Sequence, residues 1–136
     1  MKKKIITLAS LLAISSIAAA KDKPDNCNTT NISQAIFECS QFRLSESDKK
    51  LNENYKSIND QITRTYKANP KLGEDLKSKT KRSQLTWLKL REENCAIESF
   101  IIETGTQAFE TTKNNCITRE NEERSSYLFK LKNSIL

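Results

Sequence analysis

The sequence predicts an all-α fold: an antiparallel bundle of three helices, with four as the alternative, stapled by two disulfides. Three observations lead there. Only two glycines and two prolines interrupt 136 residues, and so few breakers leave room for long helices. Apolar residues recur at steps of three and four along most of the chain. Four cysteines and no histidine, in a chain that begins like an exported protein, point to disulfides rather than to a metal site.

Residues 1–20 read as a secretory signal peptide. Lys2, Lys3 and Lys4 precede an apolar run from Ile5 to Ala19, and Ala18-Ala19-Ala20 supplies the small-residue pattern that signal peptidase accepts. A membrane-spanning helix needs about 20 predominantly apolar residues, whereas this run is shorter and carries Thr7, Ser10, Ser15 and Ser16. Cleavage after Ala20 is expected to release residues 21–136 as one domain in the bacterial periplasm, with no membrane association. The nearest cysteine beyond the cut is Cys27, so lipidation of the new terminus is not expected. Removing the signal takes away three lysines and no acid, and the formal charge falls from +6 to +3. Basic and acidic residues are interspersed in the remainder, without a tract to follow a phosphate backbone, so nucleic acid is not an expected partner.

The first helix is expected from Asn31, where Gln34 completes the pattern of a capping box, to about Lys67. Leu51, Tyr55, Ile58, Ile62 and Tyr66 form its apolar face. The stretch Leu44 to Asp48 could bend it or split it in two. Asn69-Pro70-Lys71-Leu72-Gly73 marks a turn, because proline disfavours helical geometry in the residue before it and glycine permits positive φ. A second helix from about Glu74 to Glu103 follows, with Leu76, Thr80, Ser83, Trp87, Leu90, Asn94, Ile97 and Ile101 repeating at its inner face. Gly105 and the polar residues up to Asn115 read as a loop. Asn121, Arg124, Leu128, Leu131 and Ile135 then mark a third helix.

Four cysteines allow three pairings. If the first helix reaches back to Asn31 and beyond, Cys27 and Cys39 lie roughly 18 Å apart at about 1.5 Å per residue, out of disulfide reach. Pairing across segments is then easier, and Cys39 with Cys95 and Cys27 with Cys116 is the preferred arrangement. A chain that doubles back before Thr30 would instead join Cys27 to Cys39 and Cys95 to Cys116. No CxxC supports a redox dithiol.

Cys27, Cys39, Asp48-x-x-Leu51-Asn52-x-x-Tyr55, Gln84-x-x-Trp87-x-x-x-Arg91-x-x-x-Cys95, and Cys116 followed by Arg124 and Leu128 form a recognisable order. This order resembles the family named for the amino-terminal domain of the lysozyme inhibitor LprI, also designated DUF1311, across nearly the whole mature chain. Two positions depart from the family pattern: Asn121 stands where a threonine is expected, and Gly105-Thr106 replaces a glycine- and serine-rich stretch. The resemblance implies an exported helical scaffold and inhibition of lysozyme, the muramidase that cuts peptidoglycan. Its motif residues read as scaffold, with Trp87 in the core and Arg91 paired to a carboxylate of a neighbouring helix, Asp48 being the candidate.

No catalytic constellation is expected. Without histidine, a phosphate-binding glycine loop, a nucleophile elbow or metal-ligand spacing, nothing predicts an enzyme, a metal site or a cofactor. Glu92, Glu93, Glu98 and Glu103 read as a solvated helix face rather than a glycosidase pair. A cleft-filling inhibitor requires a rigid protrusion with donors or a cation for the catalytic acids. The candidate is the segment from Glu103 to Asn115, offering Thr104, Thr106, Gln107, Lys113 and Asn114 as polar contacts and Phe109 as an aromatic anchor. A net charge of +3 gives no steering toward a basic lysozyme. An immunity protein or another envelope interaction protein is the alternative function.

Overall fold

A computed structural model describes residue 27 and residues 31–135, so the expected signal peptide lies outside the described residues. Three helices follow one another: α1 (Ser33–Thr65), α2 (Pro70–Ser99) and α3 (Gln107–Ile135). α1 is unbroken through Leu44–Asp48. Within that stretch Ser47 is absorbed by the helix itself, donating to the Leu44 carbonyl at 2.8 Å, as Ser40 does nearer the helix start to that of Phe37 at 2.7 Å. The expected capping box does not form; Ile32 occupies the N-cap without a side-chain bond.

At the hairpin, Asn69 and Pro70 begin α2 rather than merely ending α1. Asn69 is the N-cap and accepts from the Leu72 N–H at 3.3 Å, and Pro70 fills the first helical turn, where its missing N–H costs nothing. Gly73 is helical and buried, not a positive-φ turn residue. It is needed for close approach, since a Cβ there would lie 3.0 Å from that of Tyr66. α3 begins eight residues before the expected loop ends. Thr106 caps it by accepting from the Phe109 N–H at 3.2 Å while donating to the Glu103 carbonyl, and Gly105 takes the left-handed φ of 84° that leads into the cap.

Cross-helix hydrogen bonds fix the topology. Ser40 with Asn114, Ser47 with Asn121, Asn54 with Ser125 and Ser57 with Lys132 advance in the same direction, so α1 and α3 run parallel. α2 runs back along this pair, with Arg91 on Asn121 and Gln84 on Arg124. Consecutive helices are thus antiparallel. The α1–α3 seam is the most extensive, and small serines opposite asparagines let it close over polar rather than apolar pairs.

The core has two parts. Leu51, Ile58, Ile62 and Leu128 form an apolar cluster, with Tyr55, Tyr66, Leu76, Trp87 and Leu131 packed against it. Toward the other end, Cys95, Cys116 and Ile117 form a second cluster beside Leu44. The disulfides join Cys27 to Cys39 and Cys95 to Cys116, with Cα separations of 5.4 and 5.5 Å. The preferred cross-segment pairing is therefore wrong. It assumed helix back to Cys27, whereas α1 starts at Ser33 and Cys27 sits against α1, held also by Arg43 donating to its carbonyl at 3.1 Å.

Candidate partner-binding surface

The scaffold residues singled out from the sequence meet at the waist of the bundle. Asn121 is fully buried: its Oδ1 accepts from Arg91 at 2.7 Å, and its Nδ2 donates to Asp48 at 2.7 Å and to Ser47 at 3.1 Å. One side chain therefore ties all three helices. Arg91 also pairs with Glu92 at 2.7 Å and lies 3.8 Å from Asp48, the carboxylate expected from the sequence. Its position is reinforced by Trp87, whose ring centroid lies 5.4 and 5.6 Å from the guanidiniums of Arg91 and Arg124. Trp87 is half-buried at the edge of the core. Arg124 donates to Gln84 and Ser83 at 2.9 Å and stacks on Tyr127. Burial pulls its pKa below the ordinary guanidinium value, yet it stays charged at neutral pH. Leu51 and Leu128 are core, Tyr55 packs against them, and Asn52 remains exposed on a groove between α1 and α2.

The segment expected to contact a partner divides differently. Only residues 100–106 are loop, at one end of the bundle. Thr104 is exposed there, Thr106 is committed to capping, and Gln107 is exposed but bonded to Gln34 of α1. Phe109 and Lys113 are half-buried on α3. Asn114 is buried and donates to Ser40 at 3.1 Å, so it belongs to the helix seam and not to a contact surface. The inner face of α2 also turns out otherwise: beyond Thr80 and Gln84 it runs through Cys95 and Ser99. Ile97 and Ile101, expected inside, are 74% and 92% exposed, and Phe100 beside them is 83% exposed. Their spacing has the helical period but the wrong phase, because small and polar residues occupy the true inner face.

Three large apolar side chains in solvent at one helix end form a patch of the kind that marks an interaction site. Ile32 and Ile36 are exposed at the same end, where the Gln34–Gln107 bond brings the α1 and α3 starts together.

Charge is segregated about the Asp48–Arg91–Asn121 waist. The half holding the patch, residues 31–48 and 91–121, carries nine carboxylates and four cations, a net of −5. The other half, residues 49–90 and 122–135, carries fourteen cations and six carboxylates, a net of +8. Glu98 in the acidic half is bridged by Arg119, whose pKa is raised first by that hydrogen bond. Among the described residues no group of three or more His, Cys, Asp or Glu is placed to hold a metal ion.

The sequence model of the lysozyme inhibitor LprI family matches residues 25–128. The chain belongs to the LprI family. Among solved structures it is similar to a DUF1311 family protein from Pseudomonas putida KT2440, with a TM-score of 0.68 and 23% sequence identity over 74% of this chain and 94% of that one. That likeness bears on the fold alone. No curated protein matches. The LprI match spans the four cysteines and the motif residues from Asp48 to Leu128.

Proposed function

We propose that this chain is an exported lysozyme inhibitor that acts by binding and occluding the enzyme's cleft, and that the acidic end of the bundle is its contact surface. Membership of a family named for lysozyme inhibition supports the target. The observation that carries the surface is the apolar patch of Ile97, Phe100 and Ile101 set within the acidic half. Many lysozymes are basic, and a surface of opposite sign steers such a partner to the docking end. Phe100 is the aromatic anchor that a binding centre requires, in place of the half-buried Phe109. Thr104, on the loop beside it, offers a hydroxyl to the cleft. The two disulfides and the Thr106 cap hold this end rigid, which limits the entropy lost on binding.

The test is binding of the oxidised protein spanning residues 21–136 to immobilised C-type, G-type and I-type lysozymes. The expected result is association with a basic lysozyme that slows as salt is raised, together with at least about tenfold weaker binding for Phe100→Ser. Binding to none of the three would move the assignment to an envelope interaction or immunity protein.

A further inference from the structure

We infer that the outward face of α2 between Ser78 and Leu90 docks on the surface of an anionic phospholipid bilayer. From Leu76 to Arg91 the sequence holds six basic residues and no acid. Folding turns this local bias into a surface. Lys79, Lys81, Arg82 and Lys89 are exposed on α2, and Arg124 joins them from α3. Among the described residues none of these five is in an ion pair, and the hydrogen-bond acceptors of Arg124 are the neutral Ser83 and Gln84. Five neighbouring cations without internal counter-charge favour an external anion.

The apolar side chains among them select which anion. Arg82 and Thr86 line two adjoining shallow grooves, of about 380 and 440 Å³; Leu85 lies along the first and Leu90 along the second. These leucines are 51% and 56% exposed, and each shares its groove with the cations. A soluble polyanion would meet the cations but leave both leucines in water. A bilayer surface takes both kinds of group, with headgroup phosphates at the ammonium and guanidinium tips and the acyl boundary at the leucines. No described helix is long and apolar enough to cross a membrane, so the contact is peripheral. It amends the expectation of no membrane association, which considered only anchors. The face lies in the basic half, leaving the acidic tip free.

Co-sedimentation with vesicles tests this, using the oxidised protein spanning residues 21–136. The vesicles are phosphatidylcholine alone or phosphatidylcholine with about one-third phosphatidylglycerol. The expected result is roughly tenfold greater binding to the anionic vesicles, falling with salt. Arg82→Glu with Lys89→Glu is expected to abolish binding, and Leu85→Ser with Leu90→Ser to weaken it severalfold. Lys56→Glu with Lys71→Glu makes the same charge change elsewhere and is expected to keep most of it. All six replaced side chains are exposed, so folding, checked by circular dichroism, is retained. Equal binding to both vesicle types overturns the inference. So does a control pair that loses as much as the α2 pair, or a leucine pair without effect, which would indicate a soluble polyanion instead.

Discussion

At the scale of single residues, one polar side chain ties the three helices together at the waist of the bundle. Asn121 is itself shielded from water and completes bonds from all three helices. Replacing it with alanine removes the bonds to Arg91, Asp48 and Ser47 together and leaves Arg91 only its carboxylate partners, and Asn121→Ala is expected to cost about 2–4 kcal/mol. Thermal unfolding should show a melting temperature lower by on the order of 10 °C or more. Asn121→Thr, the residue of the family pattern, keeps a hydroxyl and is expected to lose less. Gly73 makes the opposite kind of demand. Alanine is ordinarily the better helix former, but its Cβ would stand 3.0 Å from a Tyr66 Cβ that cannot rotate aside. Gly73→Ala is therefore expected to destabilise by about 1 kcal/mol in urea unfolding, against the gain that propensity alone gives.

At the scale of elements, the two disulfides do different work. Cys95–Cys116 lies in the core and joins α2 to α3 across 21 residues, whereas Cys27–Cys39 ties the half-buried Cys27 to α1 across 12. Loop closure alone makes each worth about 3 kcal/mol, and burial adds a packing loss to the first. The Cys95→Ala/Cys116→Ala pair is expected to melt lower than the Cys27→Ala/Cys39→Ala pair. Legibility also varied by element. The face from Leu51 to Ile62 could be read directly, because its buried positions are large and apolar. The far half of α2 could not, because Cys95 and Ser99 set its inner phase while exposed Ile97 and Ile101 imitate a core stripe. The start of α3 was hidden in a polar run, where Thr106 was one hydroxyl among several and its capping bond depends on the turn at Gly105. Cysteine pairing was missed through one assumption, that helix extends to Cys27. The scaffold motif was legible as a set, but not the waist at which it converges, since that requires the parallel register of α1 and α3.

At the scale of the whole molecule, net charge concealed the feature most relevant to function. The value of +3 expected after removal of residues 1–20 gives no attraction to a basic enzyme, yet the bundle is acidic at one end and basic at the other. The acid-free run from Leu76 to Arg91 and the glutamates after it were visible in the sequence; that they occupy opposite halves follows from the helical topology. The proposed contact through the acidic end and the proposed lipid contact through α2 use separate surfaces, so Arg82→Glu with Lys89→Glu is expected to leave lysozyme inhibition unchanged. The most direct test of the central claim is the turbidity loss of a peptidoglycan suspension under a basic C-type lysozyme, with wild-type protein and with Ile97→Ser/Phe100→Ser/Ile101→Ser. Dose-dependent protection by the wild type, reduced at least about tenfold in the triple variant, is the predicted result. Equal protection by both proteins would contradict the assigned surface, and protection by neither would contradict lysozyme as the target.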